Sequence, residues 1–242
     1  MSSSAIPPQF RLTPDQLEAY HRDGFVLVDD VFPQTELDEI NREIERLRAE
    51  KSDDGTNQKD VILRLGLKSP LTSQMCRDER ILSLIEDLVK PGIAIYSAKL
   101  FEKRPHDTQI CHWHQDDAYY TQNSECDCRM SAWIPLQDCD EKNGCVWVIP
   151  GSHKTGLKPA NMIGDDTGHC ELAFAHGTSD IEGAIPVPMK AGTVLLFHAL
   201  LAHRSLGNHT AQPRRSFIVS YQDALTGRGN KDQHKILRQP AA

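Results

Sequence analysis

The chain has 242 residues, of which 39% are hydrophobic and 25% are charged, a composition typical of a globular protein with a core of its own. Its net charge of -7 and its isoelectric point near 5.9 argue against nucleic acid as a partner. No apolar run approaches the roughly 20 residues of a membrane helix, and the first ten residues lack the regions of a secretory signal. We therefore expect a cytoplasmic protein without a nucleic-acid or membrane partner.

Three helices are predicted in the N-terminal part of the chain. The first begins at a capping box, 13–16, with proline at the first helical position, and it ends at Gly24. The other two have apolar residues at spacings of three and four, which is the pattern of an amphipathic helix. The predicted helices cover 13–23, 34–50 and 80–89, and short strands are predicted at 25–28 and 61–67.

From residue 93 onward the sequence changes to short β-rich runs separated by Pro, Gly, Asp and Asn. Such runs, with no helical pattern between them, are typical of an antiparallel sandwich or jelly roll rather than of a βαβ fold. Residues 151–190 have little periodicity and are expected to form a long lid or binding loop. The predicted strands are 93–103, 110–114, 130–136, 145–149, 193–198 and 215–221.

These patterns predict one domain, 1–242, that is mainly β with N-terminal helices. We expect residues 1–92 to form a helical buttress and residues 93–225 to form the jelly-roll core, with 151–190 as an inserted loop. Residues 226–242 are expected to form a tail. The seven cysteines are odd in number and scattered, which favours free thiols in a reducing compartment over a disulfide framework.

The run HWHQDDAYY, residues 112–120, contains the strongest candidates for metal ligands. Side chains two apart on a strand face the same side, so His114 and Asp116 can meet. With a second histidine they would form the 2-His-1-carboxylate set that holds Fe(II) and leaves positions open. His112 shares this face and is expected on the substrate side or behind the ligands. The other His-x-Asp run, 21–23, falls in a predicted helix, where such side chains diverge.

The third ligand is expected on a later strand, where His198 and His203 are the candidates. His198 ends an apolar strand, whereas His203 begins a turn and is followed eleven residues later by Arg214. An arginine offers a planar fork for a carboxylate. This spacing favours His203 and indicates a metal-chelating acid as co-substrate.

Three runs of the sequence are considered together: HQD at 114–116, NGCVWVIPGSHKTG at 143–156, and the H-x-S-x-x-N run that begins at His203 and has Arg214 beyond it. In this order they resemble the phytanoyl-CoA dioxygenase family of Fe(II)/2-oxoglutarate oxygenases. The resemblance is ordered along nearly the whole chain. It implies a double-stranded β-helix core, a cupin-like jelly roll, that uses Fe(II), 2-oxoglutarate and O2, with ascorbate as a candidate reductant. It also implies hydroxylation of an unactivated C–H bond of a small-molecule substrate, with release of succinate and CO2.

The resemblance also implies a role for each matching residue. The implied iron ligands are His114, Asp116 and His203, and the implied 2-oxoglutarate contacts are Arg214, Ser205, Trp133 and Lys99. Arg214 would bind the distal carboxylate, helped by the Ser205 hydroxyl, and Trp133 would line the pocket. Lys99 stands where the family more often has an apolar residue, and Arg204 stands where glycine is common. The chain carries no peroxisomal tripeptide, which argues against an acyl-CoA substrate.

Other functions remain open at this point. An intact Asp116 is compatible with hydroxylation, desaturation or ring closure, whereas halogenating relatives lack this carboxylate. A non-catalytic metal-binding jelly roll need not keep Arg214 eleven residues after His203. A zinc hydrolase or isomerase with the same ligands would take up no oxygen and would not need 2-oxoglutarate. The polar residues around the site favour a small polar or charged substrate.

Overall fold

The computed structural model of the protein describes residues 10–50, 60–120, 128–163, 172–175, 182–225 and 235–239. Within these ranges the α-helices are α1 (Pro14–Asp23), α2 (Gln34–Ala49), α3 (Pro70–Met75), α4 (Glu79–Ile85) and α5 (Asp117–Tyr120). The strands are β1 (Phe25–Val28), β2 (Val61–Leu63), β3 (Ile93–Lys103), β4 (Cys111–His114), β5 (Met130–Pro135), β6 (Val146–Val148), β7 (Ala160–Met162), β8 (Leu172–Phe174), β9 (Ile185–Val187), β10 (Val194–His198), β11 (His203–Ser205), β12 (Arg214–Gln222) and β13 (Lys235–Arg238).

The predicted helices form close to their expected positions. At the start of α1 the Thr13 side chain accepts a hydrogen bond from the Gln16 backbone, and the Gln16 side chain accepts one from the Thr13 backbone. Gly24 then ends α1 with a φ of 87°, a conformation that glycine adopts without strain. α2 matches its prediction, and α4 stops short of the predicted 80–89. α3 was not predicted, and it has its own capping box at Ser69.

Antiparallel strands form two main sheets. The larger sheet has the order β1-β10-β5-β12-β3-β13, with β2 also paired to β3, and the smaller sheet has the order β4-β11-β6-β9. β7 and β8 form a separate two-stranded pair. All six strands predicted between 93 and 221 form. The prediction of a mainly β jelly roll with N-terminal helices is therefore confirmed.

Three segments differ from their predictions. The strand predicted at 61–67 stops at Leu63, because Arg64 adopts a φ of 54°, in the left-handed region. The predicted loop 151–190 contains β7, β8 and β9, and β9 extends the smaller sheet with Val187 opposite Val146. The predicted tail contains β13, which pairs with β3. The pairings of β9 and β13 join segments far apart in sequence, so local patterns do not report them.

The larger sheet separates two apolar cores, because its side chains alternate between its faces. On β12, Phe217 and Val219 belong to the core that includes Leu37 and Ile44 of α2. Ile218, between them, belongs to the core shared with the smaller sheet. Burying one such side chain stabilises the fold by about 1.5–3 kcal/mol. One face of the larger sheet therefore packs against the helices, and the other face packs against the smaller sheet.

The cysteines follow the prediction of free thiols only in part. Cys76, Cys139 and Cys145 are free, and the Cys128 thiol donates to the Lys90 carbonyl oxygen at 3.5 Å. Cys111 is disulfide-bonded, so the prediction is wrong at that position. Spacing along the chain does not reveal which thiols meet in the fold. Among the described helices, none has both the length and the apolar character to cross a membrane.

Candidate metal centre

Three side chains of the smaller sheet and its following turn converge on one point. His114 ends β4, His203 begins β11, and the two are paired across the sheet. Asp116 lies just beyond β4, at the start of the turn into α5. The ligand atoms of these residues all lie within 4.8 Å of one another, and no other such group of His, Cys, Asp or Glu occurs in the described ranges. The cluster could therefore hold a divalent metal ion.

Backbone carbonyls fix the orientation of both imidazoles. Nδ1 of His114 lies 2.7 Å from the carbonyl oxygen of His112, and Nδ1 of His203 lies 2.9 Å from that of Leu201. A ring nitrogen that donates to a carbonyl leaves Nε2 as the unprotonated, metal-binding atom. The His112 side chain was expected on the substrate side or behind the ligands, but it is exposed. The backbone carbonyl of His112, and not its side chain, lies behind a ligand.

Electrostatics keep the ligands in the forms that bind metal. Burial lowers the pKa of His114, and the neighbouring His203 lowers it further, so its imidazole is neutral. Burial by itself would raise the pKa of Asp116. The positive charge of Lys99 and the hydrogen bond from the Ser131 hydroxyl act in the other direction, and the pKa of Asp116 is lowered overall, so the carboxyl is ionised.

Asp116 uses its two oxygens differently. Oδ2 accepts a hydrogen bond of 2.8 Å from the hydroxyl of Ser131, on β5 of the larger sheet. Oδ1 lies 3.8 Å from Nε2 of His203. The oxygen that faces the imidazole is therefore the one in position to bind a metal.

Arg214, the first residue of β12, is a buried cation. It is 3% exposed, and burial lowers the pKa of its guanidinium. Nη1 donates to the Ser216 hydroxyl at 3.1 Å, and the guanidinium carbon lies 5.6 Å from the centroid of the Trp133 ring. Among the described residues, Nε has no hydrogen-bond partner and no carboxylate forms an ion pair with the guanidinium. A buried cation in this state fits an anionic ligand such as a carboxylate.

The next residue, Arg215, is in a contrasting environment. Its side chain lies on the other side of β12, where Nε donates to Glu102 at 2.7 Å and the guanidinium also pairs with Glu45. Both carboxylates neutralise its charge. Only the first of the two arginines is therefore available to an anion between the sheets.

The other predicted co-substrate residues lie around the same space. Trp133 and Lys99 both lie beside Ile218 in the strands that flank β12, so the three share one face of the sheet. Ser205 is two residues beyond His203 on β11 and lies opposite Val146. Val146 and Trp133 belong to the apolar core between the sheets. The site predicted from sequence thus comes together in one compartment.

His198, the alternative ligand, lies elsewhere. Its Nδ1 accepts a hydrogen bond of 3.0 Å from the Leu200 backbone, and its ring lies 5.4 Å from that of His153. Burial lowers its pKa to about 4, with a further contribution from His153. The structure therefore separates His198 from the metal-binding cluster.

Arg204 lies on the side of β11 that faces away from the cluster. Its guanidinium carbon lies 4.9 Å from the ring centroid of Trp113 and 5.4 Å from that of Trp147. Trp147 is the partner of Arg204 in the neighbouring strand. The side chain that replaces the expected glycine thus stacks on Trp113 of β4, the strand that carries His114, and on Trp147 of β6.

Two residues near the cluster, Ser131 and Arg129, were not predicted as functional candidates, whereas Asp117 and Tyr119 follow the ligand run and were weighed as possible substrate contacts. Ser131 contacts Asp116, and the buried Arg129 forms an ion pair with Asp117. The Tyr119 ring lies 5.9 Å from that of His114. No local pattern distinguishes Ser131 or Arg129.

Comparison with known proteins relates this site to a family. The profile described as Phytanoyl-CoA dioxygenase (PhyH) matches residues 20–216. The peroxisomal phytanoyl-CoA dioxygenase of Homo sapiens is 25% identical over 252 residues, covering 92% of this chain and 74% of that protein. The ectoine dioxygenase of Sphingopyxis alaskensis is 26% identical over 243 residues, covering 89% and 77%. The crystal structure of EctD from S. alaskensis with 2-oxoglutarate and 5-hydroxyectoine matches with a TM-score of 0.74 at 22% identity, covering 99% of this chain and 89% of that one.

Proposed function

Because the chain belongs to the phytanoyl-CoA dioxygenase family of Fe(II)/2-oxoglutarate-dependent dioxygenases, we propose that it hydroxylates an unactivated C–H bond of a small polar molecule. The observation that carries the proposal is the pairing of a three-residue ligand cluster with the buried guanidinium of Arg214. A metal site alone would suit many reactions. Here the metal site shares its compartment with the Arg214 guanidinium, which has no carboxylate partner among the described residues. This arrangement suits a co-substrate that binds the metal with one end and places a carboxylate on the guanidinium with the other.

We assign the roles as follows. His114 and His203 would bind Fe(II) through Nε2, because Nδ1 of each ring donates to a carbonyl. Asp116 would bind it through Oδ1. Fe(II), 2-oxoglutarate and O2 together supply an oxidative decarboxylation that yields succinate and CO2 and oxidises the substrate.

The residues of the chain would orient the co-substrate and exclude water from it. Arg214 would receive the distal carboxylate of 2-oxoglutarate in a two-point contact, and the Ser205 hydroxyl would add a hydrogen bond. Trp133 would close one wall of the pocket, since it is 5% exposed and lies against the guanidinium. Lys99 would add positive charge beside the metal, because its charge lowers the pKa of Asp116.

The substrate side of the cluster favours a polar molecule. Tyr119 lies at its edge, and its hydroxyl accepts a hydrogen bond of 3.0 Å from the Leu172 backbone. The Asp117–Arg129 ion pair is buried close by, with the Arg129 guanidinium 5.0 Å from the Tyr96 ring centroid. Charged and hydroxyl groups in a buried wall are better matched by a substrate with hydrogen-bonding groups than by a long alkyl chain.

The direct test is an assay of succinate release with Fe(II), 2-oxoglutarate and a panel of small polar metabolites, with O2 uptake measured in parallel. Succinate release that depends on Fe(II), 2-oxoglutarate and one substrate, together with a product heavier by one oxygen atom, is the expected result. A product lighter by two hydrogen atoms would assign desaturation or ring closure instead. Turnover with zinc and without O2 would withdraw the oxygenase proposal in favour of a hydrolase or isomerase.

We further propose that the chain acts as a single domain in the cytoplasm. Pairing of β1, β2 and β13 with the core strands supports one domain. The free thiols of Cys76, Cys139 and Cys145 support a reducing compartment, whereas the disulfide at Cys111 counts against it. Limited proteolysis that released a stable fragment would contradict the single domain, and fluorescence microscopy of the tagged chain would locate it.

A further inference from the structure

Three serines lie in one row across the larger sheet. Ser131 on β5 is the partner of Ser220 on β12, and Ser220 is the partner of Ser97 on β3. Residues paired across a sheet point to the same face, and Ser131 contacts Asp116. The row therefore lies beneath the carboxylate of the cluster. Ser131 and Ser220 are both 0% exposed.

The hydrogen bonds along this row have a fixed direction. An ionised carboxylate only accepts, so in the 2.8 Å contact with Asp116 Oδ2 the Ser131 hydroxyl is the donor. A hydroxyl has one proton to donate. In the 3.0 Å contact between the two hydroxyls, Ser220 must therefore donate to Ser131. The result is a directed chain from Ser220 to Ser131 to Asp116.

From this geometry we propose that Ser131, oriented by Ser220, is a positioning residue that makes Asp116 bind the metal through Oδ1 alone. The inference rests on the proposed iron site. A carboxylate can bind a metal through one oxygen or two, and a second metal–oxygen bond would occupy a position that a chelating co-substrate needs. The Ser131 hydrogen bond engages Oδ2 and leaves Oδ1 toward His203, 3.8 Å from Nε2. The serine pair thereby keeps the metal open to the co-substrate.

Ser97 provides an internal control. It lies in the same row, next to Ser220, yet its buried hydroxyl oxygen has no hydrogen-bond partner among the described residues. Ser97→Ala removes the same atom as Ser131→Ala and from the same row, but it breaks no link to the carboxylate. The three Ser→Ala variants therefore separate the effect of the hydrogen-bond chain from the effect of removing a hydroxyl from the sheet.

The experiment is a titration of the metal-free protein with Mn(II), followed by electron paramagnetic resonance, first without and then with 2-oxoglutarate. Loss of a hydrogen bond behind a metal ligand typically costs about 10–100-fold in metal affinity. We expect this loss in Ser131→Ala, a smaller loss in Ser220→Ala, and a dissociation constant within about twofold of wild type in Ser97→Ala. Ser131→Thr, which keeps the hydroxyl, should restore Mn(II) binding toward the wild-type value.

A second readout tests the one-oxygen geometry itself. In the Mn(II)-saturated proteins, the affinity for 2-oxoglutarate should fall in Ser131→Ala and not in Ser97→Ala, because only the first change frees Asp116 to take a second position. Equal Mn(II) and 2-oxoglutarate affinities in wild type and Ser131→Ala would overturn the inference, as would equal losses in Ser97→Ala. If Ser131→Ala does not fold, Ser220→Ala decides the same question.

The outcomes also separate this inference from the function on which it rests. Wild-type protein that bound no Mn(II), or Asp116→Ala that bound it as tightly as wild type, would withdraw the metal site as a whole. Tight binding by wild type, loss in Asp116→Ala and no effect in Ser131→Ala would leave the site in place and remove only the role of the serines.

Discussion

The metal end and the arginine end of the pocket are built in opposite ways. At the metal end each ligand has a second contact that holds it: a carbonyl behind His114, a carbonyl behind His203, and a hydroxyl behind Asp116. At the other end the Arg214 guanidinium has one hydroxyl and an aromatic ring, and its Nε has no partner in the described part of the chain. The metal end is therefore preorganised, whereas the arginine end is completed by an anion from outside.

This difference indicates where each kind of change should act. Because the metal ligands are already ordered, little free energy is spent on ordering them when the ion binds. Removing one ligand should therefore lower both the metal affinity and the rate of the reaction. A buried cation without a carboxylate contributes to the binding of the anion that reaches it. Changes at the arginine end should therefore alter the concentration of 2-oxoglutarate that the enzyme needs and leave the metal in place.

The largest effect is expected from the metal end. His114→Ala, Asp116→Ala and His203→Ala should each abolish succinate release and lower the bound iron, because each removes one of three ligands. His198→Ala is the matched control and should retain activity, since that ring faces His153. Metal analysis and the succinate assay on the same preparations check this. An active His203 variant beside an inactive His198 variant would reverse the assignment.

The next effect is expected at the arginine end. Arg214→Ala should raise the KM for 2-oxoglutarate at least tenfold, because truncating one partner of a buried charge pair costs on the order of 2–5 kcal/mol. Iron affinity measured without 2-oxoglutarate should stay close to wild type. Initial rates over a range of 2-oxoglutarate concentrations give the first value, and iron titration gives the second.

Arg215→Ala is the control for this prediction. It removes the same side chain one residue later, but from the face where Glu102 and Glu45 neutralise it. Its KM for 2-oxoglutarate should be nearly unchanged, although it loses two ion pairs. A defect in 2-oxoglutarate binding that followed Arg215 instead of Arg214 would move the co-substrate site to the other face of β12.

A smaller effect is expected in the pH dependence of stability, through His198. Burial lowers the folded-state pKa of His198 to about 4, so its contribution to stability is present above the unfolded-state pKa of about 6.5 and is lost as pH falls toward 4. Between pH 7 and pH 5 the metal-free wild type should lose up to about 2 kcal/mol more unfolding free energy than His198→Gln. Urea unfolding at both pH values measures the difference, and parallel pH profiles would contradict it.

The smallest effect is expected behind the metal end, at Arg204. Arg204→Ala removes a cation that stacks on Trp113 and Trp147, which should lower the unfolding free energy by about 1 kcal/mol. The KM for 2-oxoglutarate should not change, because this side chain faces away from the cluster. Arg42→Ala, on an exposed part of α2, is the control and should alter stability by less than about 0.5 kcal/mol. Equal losses in the two variants would remove the stacking contribution.

Local chemistry made much of the fold predictable. The capping box at Thr13, the stop at Gly24 and the apolar spacing of α2 all act over a few residues, and these elements form where the sequence indicates. The same holds for the cluster, because His114 and Asp116 are close in sequence. His203 could be chosen over His198 only through its spacing from Arg214.

Contacts between distant segments could not be read from the sequence. Ser131 meets Asp116 only because β5 and the end of β4 lie on opposing sheets, and a serine in an apolar strand gives no sign of this contact. β9 and β13 were missed because they are short and their partners lie far away in sequence. The disulfide at Cys111 belongs to the same class, since it depends on which thiols the fold brings together.

The buried guanidinium of Arg214 links the resistance of the protein to unfolding with its co-substrate. A ligand that binds only the folded chain stabilises it by about 2.7 kcal/mol at one hundred times its dissociation constant. We expect 2-oxoglutarate to raise the melting temperature of the metal-loaded wild type and to slow its digestion by a protease, and to do both to a smaller extent in Arg214→Ala at the same concentration. In a cell short of 2-oxoglutarate, the empty enzyme would therefore open more often and be degraded sooner, so that its abundance would follow the supply of the acid it consumes.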